Sequence, residues 1–186
     1  MSKKKQQILD TALELFVAQG ISETSTASIA KTAGVANGTL FHHFANKEML
    51  CHALYAELKM ALIEEILQDL PEDLAQKGQQ LWLRALEWFV SHPAALKYLQ
   101  RYYVWYENPE QDSMAMFREL NQFLYRYFED CQKQGILATQ PLDYLALMAQ
   151  NTLFTTADFL IRYPLQDTPE FRASACQQSL GIAIAR

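Results

Sequence analysis

Helix punctuation constrains this chain more than anything else in its sequence. Apolar residues recur at helical spacing, as at Ile8, Leu9, Ala12, Leu13, Leu15 and Phe16, and each such run stops at a glycine or a proline. Gly20 closes the first run, and the cluster Ser22-Glu23-Thr24-Ser25-Thr26 starts a short helix that ends at Gly34. A second short helix spans roughly Asn37 to Phe44, and Asn46-Lys47-Glu48 opens a long one to about Asp69. Pro71, with Glu72 and Asp73 behind it, fits the first turn of a fifth helix. Ser91-His92-Pro93 and Asn108-Pro109 are the next breaks. A long helix is predicted from about Gln111 to Gln134, another from Pro141 to about Tyr163, and a last one from Thr168-Pro169-Glu170 to about Ala185. No segment alternates as a half-buried strand would. The expectation is an all-α chain of about nine helices.

Composition agrees with a folded, reducing-compartment protein. Half of the 186 residues are hydrophobic, and only six glycines and six prolines are present. Cys51, Cys131 and Cys176 are an odd count at unrelated spacings, which fits neither a disulfide framework nor a metal knuckle. Met1-Ser2-Lys3-Lys4-Lys5 leads into no apolar signal core. The charge-free stretch Tyr144–Ala157 is 14 residues long and carries polar side chains, too short and too wet to span a bilayer. A cytoplasmic location with no membrane partner is therefore expected. The net charge of −5 is uneven: residues 1–50 hold five lysines against four acids, while the remainder is strongly acidic. A phosphate backbone responds to the local field rather than to the sum.

The most informative stretch is Thr26–Lys47, TASIAKTAGVANGTLFHHFANK. Two short helices meet at a tight turn, Ala33-Gly34-Val35-Ala36. Ala30 and Ala33 allow close approach, and Gly34 makes the turn without a Cβ penalty. The second helix then presents Asn37, Thr39, His42 and His43, whose side chains suit phosphates or base edges. The pattern is that of a helix-turn-helix, though a plain hairpin within an all-α bundle has the same periodicity.

The string itself closely resembles the DNA-binding domain of the TetR family of bacterial transcriptional regulators. The likeness is carried by Ile29-Ala30, Ala33-Gly34-Val35, Gly38-Thr39-Leu40-Phe41-His42-His43-Phe44 and Lys47-Glu48-Met49-Leu50, with Ile8, Ala12, Leu15, Phe16 and Gly20 in the preceding helix. It covers about residues 5–55; the rest matches only in length and helix order. The resemblance implies a helix-turn-helix domain over residues 1–50 and a helical ligand-binding and dimerisation domain over 51–186. It implies a homodimer, joined through the last two helices, on a near-palindromic double-stranded DNA operator. It implies an output of repression, relieved by a small, mainly apolar effector. By position, Thr26 and Ser28 reach phosphate, Asn37, Gly38 and Thr39 enter the major groove, and Phe41, His42, His43 and Lys47 complete the DNA contact. Lys3, Lys4 and Lys5 would form a flexible arm. Three residues depart from the family pattern: Phe41 replaces a tyrosine, Ala36 replaces a capping Ser or Thr, and Ala27 replaces a frequent arginine.

In the body, ten aromatic residues crowd between Tyr98 and Phe128, most of them Tyr or Trp. Buried Tyr and Trp need polar partners, and an apolar cavity with a few polar handles is what a small ligand requires. With the family resemblance, this points to Tyr102, Trp105, Tyr106, Phe123, Tyr127, Phe154 and Asp158 as ligand-binding residues, although core packing explains the same pattern. Asp158 and Arg162, four apart, are able to pair locally. No catalytic motif and no metal-ligand set stands out, and no cofactor is implied. The alternatives to a ligand-released repressor are a DNA-binding regulator controlled by a protein partner, and a helical enzyme.

Overall fold

The computed structural model describes residues 3–105 and 113–180. Among them the secondary structure is entirely helical: ten α-helices and one short 3-10 turn at Pro164–Gln166. The all-α expectation holds, and the chain divides into two compact units, Met1–Met60 with Ala94–Ser113, and Ala61–Pro93 with Met114–Arg186.

The first unit contains α1 (Lys3–Gln19), α2 (Thr26–Thr32), α3 (Asn37–His43), most of α4 (Lys47–Ile66) and α6 (Pro93–Trp105). Its core is the predicted apolar set: Ile8, Leu9, Ala12, Phe16, Ile29, Ala30, Leu40 and Phe44 are all buried. Each fully buried aliphatic or aromatic side chain is worth roughly 1.5–3 kcal/mol. Gly20 and Gly34 have φ of +99° and +65°, the left-handed turns that only glycine makes cheaply. The Thr24 hydroxyl, itself buried, donates to the Gly20 carbonyl at 2.7 Å and closes the α1–α2 corner. α6 joins these helices from forty residues further along the chain. Tyr98 stacks on Phe16 at 5.8 Å, its hydroxyl donates to the Cys51 carbonyl at 2.8 Å, and Arg101 donates to the carbonyls of Phe16 and Val17 at the end of α1.

The second unit is built on α5 (Leu74–Ser91), which packs against α8 (Gln122–Lys133), α9 (Leu142–Arg162) and α10 (Pro169–Leu180); α7 (Ser113–Leu120) completes it. Leu81, Trp82, Leu86 and Phe89 on α5 meet a core that includes Phe128, Ala146, Phe154 and Leu160. Arg118 donates two hydrogen bonds to Asp143, at 2.8 and 3.0 Å, and Tyr125 adds a third at 2.7 Å. These hold the Asp143 carboxyl down at about 2, the Arg118 hydrogen bonds being the largest cause.

Three local expectations are corrected. The helix predicted over 111–134 is two helices, α7 and α8, parted at Asn121. That residue is buried, and its side-chain amide donates to the Phe117 carbonyl at 2.7 Å, competing with the helix ladder at that point. The fifth helix starts at Leu74 rather than in the turn after Pro71, because the Asp73 carboxylate accepts from the Gln76 N–H at 2.8 Å and fixes the cap there. Lys3, Lys4 and Lys5 are not a flexible arm but the first turn of α1, with the Lys5 ammonium 5.6 Å from the Phe44 ring centre. By contrast, Thr168 caps α10 as its sequence indicates, accepting from the Phe171 N–H at 3.2 Å. The predicted end of the last helix near Ala185 lies outside the described residues.

Candidate nucleic-acid interface

α2 and α3 form the helix-turn-helix expected from Thr26–Lys47. Ser25 caps α2, its hydroxyl accepting from the Ser28 N–H at 3.0 Å, while the Ser28 hydroxyl donates back to the Ser25 carbonyl at 2.7 Å. The backbone then turns through Gly34, and the Val35 N–H donates to the Ala30 carbonyl at 3.0 Å. These three hydrogen bonds close the helix entry and the turn.

α3 has two sharply different faces. Leu40 is fully buried and Phe44 nearly so, four residues apart on the inward side. Asn37, Gly38, Phe41 and His42 are exposed, with Phe41 at 44 %, and Thr39 and His43 are half-buried. Ala36 occupies the N-cap and no side chain caps the helix. Thr26 is half-buried at the start of α2, and Ala27 is exposed beside it. Lys47 stands at the start of α4, half-buried, and donates to the Ser22 carbonyl at 3.0 Å. It therefore ties α4 to the loop that precedes α2.

Gly38 is unlike Gly34. Its backbone lies outside the left-handed region, and a Cβ built on it would meet nothing within 4 Å. The protein's own packing has no need of glycine there.

The residues proposed from sequence to hold a ligand fall in both units. Tyr102 and Trp105 are on α6 in the first unit. Tyr102 is buried, stacks on Tyr55 at 4.4 Å, and shares a hydrogen bond with His52 Nδ1 at 2.5 Å. Trp105 borders an open cleft with Ser22, Arg101 and Val104. Phe123, Tyr127, Phe154 and Asp158 are in the second unit. Phe154 packs edge-on against Phe89 at 5.2 Å, and Asp158 pairs with Arg162 at 2.8 Å. Tyr106 lies outside the described residues. Sequence reasoning passed over Lys59, a buried lysine on α4 whose amine burial pushes down to about 8. The signal was present, since Lys59 falls in register with Tyr55, Leu62 and Ile66 on one apolar stripe.

Known proteins share both the motif and the whole fold. Residues 8–54 match the pattern described as "Bacterial regulatory proteins, tetR family". A TetR-family transcription regulator from Shewanella sp. PV-4 is 32 % identical, with a TM-score of 0.87, over 97 % of both chains. The chain belongs to the TetR family. A further TetR-family regulator, from Marinobacter aquaeolei VT8, is 19 % identical and shares the fold with a TM-score of 0.83. Of the curated relatives, the "Probable acrEF/envCD operon repressor" of Escherichia coli K12 is 28 % identical over 146 residues, 73 % of this chain and 66 % of that protein. The "Fatty acid metabolism regulator protein" of Bacillus subtilis is 36 % identical over 74 residues, 40 % of this chain. The chain aligns with only 38 % of that protein's length, so both alignments span less than two thirds of these relatives.

TetR-family members are transcriptional regulators and not enzymes, which removes the helical-enzyme alternative. At α3 an exposed Phe41 has no hydroxyl to offer, and the helix starts without a capping side chain. Among the described residues no helix is long and apolar enough to cross a membrane.

Proposed function

We propose that this protein is a homodimeric repressor that grips a near-palindromic double-stranded operator and lets go when a small, mainly apolar molecule enters its body. The observation that carries the reading is α3, anchored by Leu40 and Phe44 while Asn37, Gly38, Phe41 and His42 face outward. A seven-residue helix held by its buried Leu40 and by the buried cap residue Phe44, and showing its polar edge, suits entry into a major groove. Gly38, unneeded by the fold, lets the backbone close on DNA. Thr39 offers a methyl or a hydroxyl to a base, and Thr26, Ser28, His43 and Lys47 hold the flanking phosphates. Affinity then falls steeply with salt.

Residues 1–50 serve as the DNA-binding domain and 51–186 as the ligand-binding and dimerisation domain. Two observations support the dimer: α9 leaves Tyr144, Leu147, Met148 and Phe159 exposed, and α10 lies beside α9. Large apolar side chains at this density call for a cover, and a second copy supplies it with two-fold symmetry. The two α3 helices then read successive grooves about 34 Å apart. α4, whose residues fall in both units, carries the ligand's effect to the head. The effector must bind the released state better, or it shifts nothing.

Operator selection followed by titration tests the reading. Lys47→Ala should weaken every DNA sequence alike and flatten the salt dependence, and Thr39→Ala should change preference at one base pair per half-site. Binding that ignores sequence, or a single half-site selected alone, would defeat the proposal.

A further inference from the structure

Phe41 is the one large apolar side chain that α3 turns outward, 44 % exposed. The other rings at this end of the motif are engaged. His42 and His43 stand edge-on at 5.3 Å, His43 lies 6.3 Å from Phe44, and the Lys5 ammonium sits over the Phe44 ring. Among the described residues Phe41 has no ring partner.

A lone exposed apolar side chain is ordinary on a free surface. On a helix that enters a groove it is a constraint. Phosphates and base edges present donors and acceptors that a phenyl ring cannot satisfy, and covering one without a partner costs what an unmade hydrogen bond costs. The major groove displays a single apolar group, the 5-methyl of thymine. A phenyl ring pressed into that groove is therefore favourable where it meets a thymine and unfavourable elsewhere.

The surroundings of the ring fit such a guest. Asn37, Gly38 and Phe41 share one side of α3, and a long helical side chain leans over the turn before its own Cα, which brings the Phe41 ring towards Gly38. Yet no atom of the ring comes within 4 Å of the place a Cβ on Gly38 would occupy. An open notch remains, floored by the Gly38 backbone and walled on one side by the ring, with room for a methyl carbon.

We infer that Phe41 is a specificity-determining residue, which with Gly38 receives the 5-methyl of one thymine in each half-site. The inference rests on α3 being the helix that enters the groove, and it names what that helix reads there. The contact is apolar and displaces no counterions, so its contribution is independent of salt, unlike that of Lys47 and the other phosphate contacts.

The test uses the full-length protein on the operator it selects. Each thymine of one half-site is replaced in turn by deoxyuridine, which lacks only the 5-methyl. One position should lose about fourfold in affinity, the factor that burial of one methyl supplies, equally at low and high salt. Phe41→Ala should abolish that loss, while Thr39→Ala should leave it in place. Should Phe41→Ala bind too weakly to titrate, operator selection with Phe41→Gln replaces it, and thymine should no longer be chosen at that position. No thymine sensitive to deoxyuridine, a loss that persists in Phe41→Ala, a loss that Thr39→Ala abolishes instead, or thymine retained by Phe41→Gln would overturn the inference. A protein that selects no sequence at all removes the groove-entering role of α3, and this inference with it. One that selects an operator indifferent to deoxyuridine keeps that role and removes only the part given to Phe41.

Discussion

α3 and α9 resolve the conflict between burial and exposure in opposite ways. α3 is seven residues long, buries Leu40, ends at the buried cap residue Phe44, and shows Asn37, Gly38 and His42 to water. α9 is 21 residues long, buries Ala146, Phe154 and Leu160 on α5's side, and still leaves Tyr144, Leu147, Met148 and Phe159 uncovered. A helix with polar residues outside is finished as a surface and is ready for a polar partner. A helix with large apolar residues outside is finished only when something apolar covers it. The contrast teaches that the same physics, one apolar stripe against a core, leaves one helix with a polar outer edge and another with large apolar side chains still exposed.

The contrast breaks most severely if α3 loses its anchor. Leu40→Ala removes a fully buried side chain and should cost about 3 kcal/mol of stability, with operator binding lost together with it. Denaturant unfolding and a DNA titration on the same sample check this; a stable protein that still binds would mean α3 is held by something other than its core face. On α9, Met148→Glu should place a carboxylate on the uncovered face, giving a monomer by sedimentation with helical content intact. Operator affinity should drop by roughly a hundredfold as the linkage between heads disappears. An unchanged dimer would move the interface elsewhere.

The two glycines of the motif sharpen the comparison at smaller scale. Gly34→Ala forces a left-handed residue and should cost about 1 kcal/mol of stability. Gly38→Ala should instead stabilise by about 0.5–1 kcal/mol, having room for its methyl, yet weaken DNA binding. Opposite signs for fold and function at Gly38 are what a close approach to DNA demands. The smallest effect is an acid one. Asp143 is held at about 2 against 3.8 when free, so its contribution is complete above about pH 4 and is lost as pH falls towards 2. The pair is solvent-exposed, which keeps the contribution small. Asp143→Asn should remove this component from an acid-unfolding curve and leave α3 untouched.

Much of this was legible beforehand because it is local. Gly20, Ser25, Gly34 and the Thr168-Pro169 pair act on backbone within a turn of themselves, so the helices of the motif stand where their caps place them. The break at Asn121 was not legible, since an asparagine competes with the helix ladder only once burial deprives it of water. Nor was the part α6 takes in the head, which depends on Tyr98 and Arg101 meeting α1 and α4 across more than forty residues. At the DNA-facing site, the polar residues could be listed from sequence, but Lys47's bond to Ser22 and the open space around Gly38 could not.

The order of residues alone determined that the chain is helical, where most helices begin and end, and which face of α3 turns inward, because capping, turn geometry and periodicity operate over a few residues. Tertiary structure decided which distant helices share a core and which lysine is buried. Those outcomes depend on which surfaces meet and how completely water is expelled, and no short stretch of sequence contains either.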